Sequence, residues 1–253
     1  MPRSTGSVRS SMLPEKGTLS AVILAGGLGT RLRSAVPDLP KPMAPVAGRP
    51  FLEHQLDYWI AQGVGRFVLS VGYRYEAIRE HFGVRYKGAE LDYAIERKPL
   101  GTGGGFLLAA EKVCRERPFL LLNGDTYFAV DWGVLNAYAK KHEADWCIAL
   151  FRAGENGRYA GVEVSPQGRV TSMKSGAAKG ARLANGGVYW VHPRVLQAGH
   201  LLPDHAISLE DDVFPAALAS GQRLFGIECA GTFIDIGVPE DYQRAAALLV
   251  GER

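Results

Sequence analysis

The most constraining feature of this sequence is a short apolar segment that runs directly into a glycine-rich loop. LSAVILA (19–25) is followed at once by GGLGTRL (26–32). The apolar segment contains Val and Ile and is too short for a typical helix, so it predicts a buried strand. Glycines accept positive φ angles and let an anionic ligand approach backbone N–H groups closely. The two segments together predict a strand that opens into a phosphate-binding loop.

The loop does not match the two best-known glycine-rich phosphate loops. A P-loop needs a second glycine five residues after the first, and counting from Gly26 or Gly27 places Arg31 or Leu32 there. A dinucleotide fingerprint needs three glycines as G-x-G-x-x-G, and here Leu32 takes the third position. The spacing therefore disfavours both a P-loop ATPase and a nicotinamide-dependent enzyme.

Predicted strands and helices alternate after the loop. The apolar segments that predict strands are 66–72, 91–96, 118–125 and 145–153, and those that predict helices are 51–63, 75–83, 101–114 and 131–144. This alternation predicts an α/β protein, with a Rossmann-like three-layer α/β/α arrangement around a mostly parallel mixed sheet. Ligands of such sheets bind at the carboxyl ends of the strands. We therefore expect residues 26–31, 96–104 and 123–125 to meet at one edge.

The pattern changes near residue 155. Residues 159–174 predict a hairpin, 182–193 a further strand, 209–219 a short helix and 239–250 a closing helix. Because no linker or internal repeat separates the two parts, we expect a single domain over 19–253, with halves 19–155 and 156–253. Residues 1–18 are rich in Ser, Gly, Pro and charge and predict a disordered tail.

Composition excludes several classes of protein. The net charge is only +3 and no Lys/Arg-rich run is present, so nucleic acid is not an expected partner. No apolar run reaches the roughly 18 residues of a membrane span, and the N-terminus lacks the apolar core of a secretory signal. The three cysteines form no C-x-x-C pair. We therefore expect a cytoplasmic protein that acts on small molecules.

Eight short motifs give the chain a resemblance to a known family, the sugar-1-phosphate nucleotidyltransferases. They occur in family order between Leu19 and about Val250, as GGLGTRLR, PKPM, ERKPLGTGG, NGD, MK, NGGVY, SLEDDVFP and FIDIGVPEDY. The NGDTYF and NGGVY segments look closest to the D-glycero-α-D-manno-heptose 1-phosphate guanylyltransferase branch. Mannose-1-phosphate guanylyltransferases and N-acetylmuramate-1-phosphate uridylyltransferases are near relatives of that branch.

The resemblance implies transfer of a nucleotidyl group from a nucleoside triphosphate, GTP for this branch, to a heptose 1-phosphate with release of pyrophosphate. Within the class, mannose-1-phosphate guanylyl transfer and uridylyl or thymidylyl transfer to muramate- or glucose-1-phosphate remain alternatives. A sugar-nucleotide-sensing regulatory subunit is the alternative from another class, but it should have lost the charges at positions 31, 41, 125 and 235, all of which are present. The family often assembles, which implies a possible homo-oligomer.

The implied chemistry brings several negative charges together, so catalysis depends on positioning and charge neutralisation. Arg31 would stabilise the charge on the α-phosphate and the departing pyrophosphate, and Lys41, held between two prolines, would neutralise the phosphates. Asp125 and Asp235 lie in apolar surroundings, and the resemblance implies that they hold one Mg²⁺. Pairing of these carboxylates with Arg31 is the alternative.

The resemblance also assigns the two substrate sites. The resemblance implies that Gly101 to Gly104 form the loop that binds the base, here called the base loop, and Glu96 matches the acidic position that precedes this loop in relatives. The implied nucleotide-binding residues come from three strand ends: Leu24, Ala25, Gly26, Gly27, Gly29, Thr30, Leu100, Gly101, Thr102, Gly103, Asn123 and Gly124. The implied sugar-phosphate residues are Lys174, Asn185, Gly187 and Glu210.

Two departures from the family pattern fall in the sugar half. Met173 precedes Lys174 where relatives usually have Glu, and Asp211 follows Glu210 where relatives often have Lys. Ser208 fits a helix N-cap. Glu210 and Asp211 can therefore also be interpreted as acids that stabilise a helix N-terminus.

Overall fold

The computed structural model describes residues 18–27, 29, 32, 36–113, 115–154, 159–177, 183–196 and 205–250. Thr30 and Arg31 lie outside the described residues, as does the predicted N-terminal tail apart from Thr18. For Lys174, the description extends to the backbone only.

The described residues form fourteen strands and six α-helices. The strands are β1 (Leu19–Ala25), β2 (Pro45–Val46), β3 (Arg49–Pro50), β4 (Val64–Val71), β5 (Arg85–Tyr86), β6 (Ala89–Ile95), β7 (Phe119–Asn123), β8 (Thr126–Phe128), β9 (Trp146–Arg152), β10 (Ala160–Val164), β11 (Val170–Ala177), β12 (Leu183–Val191), β13 (Leu224–Glu228) and β14 (Phe233–Asp235). The helices are α1 (Phe51–Ala61), α2 (Tyr75–Phe82), α3 (Gly101–Ala110), α4 (Trp132–Lys141), α5 (Phe214–Ala219) and α6 (Pro239–Val250).

One large mixed sheet organises the molecule. Strands β7, β1, β4 and β6 lie side by side in that order and run parallel. Beyond β7 the sheet continues with β12, which is antiparallel to β7 and also pairs with β9 and β10. The predicted mostly parallel mixed sheet is confirmed. The insertion of β12 between β7 and β9 goes beyond what the local sequence pattern indicates.

Helices cover both faces of this sheet. Ala21 and Ile23 of β1 belong to a core that includes residues of α1, α2 and α4. Val22, which lies between them in the same strand, belongs to a second core that includes residues of α3 and α5. Because successive strand residues point to opposite faces, these two cores lie on opposite sides of the sheet, and the predicted three-layer arrangement is confirmed.

A small two-stranded sheet of β8 and β14 lies beside the main sheet. Its residues Tyr127 and Ile234 share a third core with Ala245 and Leu249 of α6. The sequence prediction that one strand runs through 118–125 is wrong at its end, because β7 stops at Asn123 and a turn leads into β8. That turn places Asp125 between two strands.

The second half contains the predicted hairpin, formed by the antiparallel pair β10 and β11. The predicted helix over 209–219 divides into a π-helical turn, Leu209–Val213, followed by α5. Ser208 caps this turn as predicted, since its Oγ accepts hydrogen bonds from the N–H groups of Glu210 and Asp211. Among the described residues, no helix combines the length and apolarity required to cross a membrane.

Candidate active site

A cavity of about 290 Å³ opens at the carboxyl ends of β1, β6 and β7. All three of the strand ends that the sequence places at this edge contribute to it. Its lining residues are Leu24, Ala25, Gly26, Gly27, Gly29, Lys41, Pro42, Glu96, Pro99, Gly101, Thr102, Asn123, Gly124 and Asp125. Of the described residues predicted to bind nucleotide, Leu100 and Gly103 do not line the cavity.

The glycine-rich loop passes directly over a carboxylate. A Cβ atom placed on Gly26 would lie 2.1 Å from Oε1 of Glu96, closer than any real contact allows. Glycine at position 26 therefore lets the loop after β1 lie close to Glu96, which follows β6. Any larger residue at position 26 would force the Glu96 carboxylate out of its place in the cavity wall.

Lys41 and Asp125 form an ion pair on the opposite side of the cavity. The Nζ atom of Lys41 lies 2.8 Å from Oδ2 of Asp125, and the Lys41 side chain is only 12% exposed. Lys41 begins a short 3₁₀ turn in which Met43 N–H donates to the Pro40 carbonyl at 2.8 Å. Flanking prolines restrict the backbone of this turn, so the ammonium group is held on a stiff support. The alternative pairing of Asp125 with Arg31 involves a residue outside the described set.

Asp235 lies next to Asp125 because β14 pairs with β8. In that pair Asp235 stands opposite Thr126, and the N–H of Ile236 donates to the Asp125 carbonyl at 2.9 Å. Two carboxylate residues on adjacent backbones, of which Asp125 lines the cavity, fit Mg²⁺, which commonly takes one or two protein carboxylates and completes its shell with phosphate and water. No group of three or more His, Cys, Asp or Glu residues suited to a metal occurs in the described part of the chain.

Glu96 provides the carboxylate on the other side of the cavity. Its Oε1 accepts a hydrogen bond from Ser70 Oγ at 3.0 Å, and its Oε2 accepts one from the Leu100 N–H at 3.1 Å. Burial raises the pKa of this carboxyl group, and the two hydrogen bonds oppose the rise. An ionised carboxylate has about four acceptor positions, so Glu96 retains capacity to accept from a ligand.

The base loop is bonded to the segment that precedes α5. The N–H of Gly103 donates to the Ile207 carbonyl, and the Ile207 N–H donates to the Leu100 carbonyl, both at 2.9 Å. The Thr102 hydroxyl accepts from Leu209 N–H at 2.8 Å and donates to Glu210 Oε2 at 3.3 Å. Leu100 and Gly103 thus hold the loop in place from behind the cavity wall.

The predicted sugar-site residues form a connected network around Tyr189. The Asn185 amide donates to the Tyr189 hydroxyl at 2.7 Å and accepts from the Gly187 N–H at 3.0 Å. The Tyr189 hydroxyl donates in turn to Glu210 Oε1 at 3.3 Å. Tyr189 is completely buried, and burial together with the nearby Glu210 charge raises its pKa well above the ordinary value. Tyr189 therefore remains a neutral donor that fixes the Glu210 carboxylate.

Lys174 lies in β11, where its backbone pairs with Gly161 of β10. The structure thus brings Asn185, Gly187 and Glu210 together and leaves the contact of Lys174 as a sequence-based prediction. Sequence reasoning did not single out Ser70 or Tyr189. Tyr189 lies inside the NGGVY motif, but only the folded pairing shows that its hydroxyl reaches Glu210.

Comparisons with known proteins agree with the geometry. A family model described as Nucleotidyl transferase matches residues 20–251. A D-glycero-α-D-manno-heptose 1-phosphate guanylyltransferase of Aneurinibacillus thermoaerophilus is 37% identical over 227 residues, which cover 90% of this chain and 96% of the relative. An enzyme of the same name from Campylobacter jejuni is 38% identical over 226 residues, 88% of this chain and 97% of the relative.

A solved structure is also similar. The crystal structure of HddC from Yersinia pseudotuberculosis complexed with GMP-PN matches with a TM-score of 0.79 and 31% identity, over 91% of this chain and 99% of HddC. The family resemblance inferred from the eight motifs is confirmed. The chain belongs to the nucleotidyl transferase family and is a sugar-1-phosphate nucleotidyltransferase.

Proposed function

We propose that this protein transfers the guanylyl group of GTP to D-glycero-α-D-manno-heptose 1-phosphate and releases pyrophosphate, with Mg²⁺ as the cofactor. The observation that carries the proposal is the opposed placement of two features of one cavity. The half-buried carboxylate of Glu96 follows β6, the Lys41–Asp125 ion pair lies beside the end of β7, and β1 and β4 separate these two strands in the sheet. The relatives of the same length that act on this heptose phosphate support the choice of sugar.

Glu96 supports guanine as the base. The Watson–Crick edge of guanine presents two adjacent donors, N1–H and the N2 amino group, which a carboxylate can accept together. Uracil and thymine present one donor between two acceptors, and those acceptors would be repelled by the same carboxylate. Adenine and cytosine each place an acceptor beside their amino donor. Among the common bases, guanine matches an ionised glutamate best.

The reaction is a displacement at the α-phosphorus of GTP. An anionic oxygen of the sugar phosphate forms the new bond to phosphorus, and the bond from phosphorus to the α–β bridging oxygen breaks, so pyrophosphate leaves with that electron pair. Lys41 supplies positive charge where these phosphate groups meet. The backbone N–H groups of Gly26, Gly27 and Gly29 provide further donors close to the phosphates.

Asp125 and Asp235 would hold the metal. When bound there, Mg²⁺ neutralises phosphate charge and orients the reacting groups. The ammonium group of Lys41, 2.8 Å from Oδ2 of Asp125, also holds this carboxylate in place. Arg31 would add a second cation, as the family resemblance implies.

Asn185, Gly187 and Glu210 would bind the sugar. An amide and a carboxylate held by Tyr189 offer both a donor and an acceptor to sugar hydroxyl groups. Lys174 would contact the sugar phosphate. Thr102 links this group to the base loop, so the two substrate sites share one supporting structure.

A pyrophosphate-release assay with each common nucleoside triphosphate against a panel of sugar 1-phosphates tests the proposal. We expect the highest kcat/KM for GTP with D-glycero-α-D-manno-heptose 1-phosphate, ahead of mannose, glucose and N-acetylmuramate phosphates. Asp125→Asn should reduce kcat about 100-fold or more, since it removes a carboxylate that would hold the Mg²⁺. Its circular dichroism spectrum should remain that of the wild type.

Two results would contradict the proposal. A higher kcat/KM for UTP or dTTP with any of these sugars would overturn the assignment of base and sugar. If the protein binds nucleotide but releases pyrophosphate with none of the substrate pairs, the sugar-nucleotide-sensing alternative is favoured.

A further inference from the structure

One buried glutamine connects helix α1 to the turn that carries Asp125. Gln55 lies within α1 and is only 2% exposed. Its Nε2 donates to the carbonyl of Asn123 at 2.8 Å and also to the carbonyl of Thr126. These two carbonyls belong to the last residue of β7 and the first residue of β8, so the single amide spans the whole turn.

The chemistry of this side chain matches that task. A primary amide carries two N–H hydrogens and can donate to two carbonyls at once. A serine or threonine hydroxyl has only one hydrogen to donate, and an apolar side chain has none. Between these two ends, the Gly124 N–H donates one bond to the Leu24 carbonyl, and the Asp125 carbonyl accepts one bond from the Ile236 N–H, both at 2.9 Å.

Packing alone does not account for Gln55. Its neighbours in the helix, Leu52, Leu56 and Trp59, are buried apolar residues of the same core. Its Oε1 is buried and has no hydrogen-bond partner among the described residues. An unsatisfied buried acceptor is destabilising, so an apolar residue would suit packing against this core better. The two bonds to the Asp125 turn offset this cost.

We propose that Gln55 is a positioning residue for Asp125, and that it fixes the turn so that the carboxylate is placed for the metal. The inference rests on the metal role given to Asp125 in the proposed function. Mg²⁺ demands near-ideal octahedral geometry with short bonds, so a small shift of the turn lowers affinity. Residues that orient a metal ligand typically contribute 10- to 100-fold to metal affinity or activity.

The variant Gln55→Met tests this role because it keeps the length and approximate volume of the side chain and removes both donors. Gln62→Met is the matched control. Gln62 ends the same helix, and its Oε1 accepts a hydrogen bond from the Trp132 N–H at 3.2 Å, away from the turn. Both variants therefore lose hydrogen bonding between α1 and the backbone of another segment, but only one of them affects Asp125.

The readout is Mn²⁺ binding measured by electron paramagnetic resonance with a non-hydrolysable GTP analogue present, so turnover plays no part. We expect the Mn²⁺ dissociation constant to rise about 10-fold or more for Gln55→Met and to stay within about twofold for Gln62→Met. Affinity for the analogue without metal should be unchanged in both. Gln55→Asn keeps the amide but withdraws it by one methylene group, so it should give an intermediate loss of Mn²⁺ affinity. This variant provides the test if Gln55→Met does not fold.

Asp125→Asn separates the two ways in which the inference can fail. If Asp125→Asn weakens Mn²⁺ binding and folded Gln55→Met and Gln55→Asn bind as wild type does, the role of Gln55 is overturned and the metal site stands. If Asp125→Asn binds Mn²⁺ as tightly as wild type, the metal site of the proposed function is wrong, and the role of Gln55 is overturned with it.

Discussion

Burial makes the ionised form of Glu96 less favourable in the folded protein than in the unfolded chain, and this cost bears on its function. Burial raises its pKa, so the folded protein holds the proton more tightly than the unfolded chain does. The penalty for ionised Glu96 is absent below the unfolded pKa, grows as pH rises, and is complete above the folded pKa. The retained carboxylate is consistent with a role in accepting hydrogen bonds from a base.

Glu96→Gln should change the base preference. Glutamine offers one acceptor and one donor, which suits the N3–H and adjacent carbonyl of uracil better than the two donors of guanine. We expect kcat/KM for GTP to fall about 10- to 100-fold, since a buried donor–donor clash costs about 1–3 kcal/mol, and kcat/KM for UTP to rise. The melting temperature should rise because the buried charge is gone.

Ser70→Ala is the matched control for that prediction. It removes one hydrogen bond from the Glu96 carboxylate but leaves the charge in place, so GTP should remain preferred over UTP. An unchanged ratio of kcat/KM values for GTP and UTP in Glu96→Gln would show that Glu96 does not select the base.

Among the structural elements, the base loop depends on a glycine where the loop enters α3. Gly101 has φ +74°, and a Cβ at this position would lie 2.3 Å from the carbonyl oxygen of Ile207. That carbonyl accepts the bond from Gly103 N–H which joins the base loop to the Ile207 segment. A side chain at Gly101 would therefore disturb both the local backbone and the bonding of the loop.

Gly101→Ala and Gly221→Ala together separate these two effects. Gly221 has a similar φ of +77°, but nothing lies within 4 Å of a Cβ placed there. Gly221→Ala should cost about 1–2 kcal/mol of unfolding free energy from the left-handed backbone alone. Gly101→Ala should cost about 1–3 kcal/mol more from the steric clash and raise KM for GTP. Urea titration and steady-state kinetics check this, and equal losses in the two variants would contradict it.

The elements that the sequence predicted well are those with strong local signals. The proline before Phe51 and the helical spacing of the apolar residues after it predicted helix α1 with the correct start and an end two residues too late. The predicted bounds of the closing helix, 239–250, are those of α6. The glycine and acidic residues at the ends of the predicted strands also predicted where the cavity lies. These signals act over a few residues, so a single sequence contains them in full.

The contacts that the sequence did not predict join distant segments. Gln55 reaches a turn 68–71 residues away, and Tyr189 of β12 contacts Glu210, which lies 21 residues away. Helical spacing places Gln55 on the apolar face of α1, near Leu52 and Trp59, but the local pattern does not show which backbone groups its amide reaches. The local pattern predicted separate parts of the site, and tertiary structure determined which side chains position them.

At the scale of the whole molecule, the two halves share one sheet. Strand β12 of the second half pairs with β7, as in Val188 opposite Leu122, and on its other edge with β9. Among the described strands, β9 pairs with β12 and β13 only, so this strand of the first half joins the main sheet through the second half. Strand β8 of the first half likewise pairs only with β14 of the second among the described strands, so pairing across the two halves occurs at several places.

We therefore predict that the protein unfolds in one cooperative thermal transition, although it is longer than most two-state proteins. Scanning calorimetry should give equal calorimetric and van't Hoff enthalpies. A non-hydrolysable GTP analogue with Mg²⁺ at 100 times its dissociation constant should stabilise the fold by about 2.7 kcal/mol and shift the whole transition by about 5–10 °C. Two separable transitions, with only one raised by the nucleotide, would show that the halves are independent domains, because a ligand stabilises only the cooperative unit to which it binds.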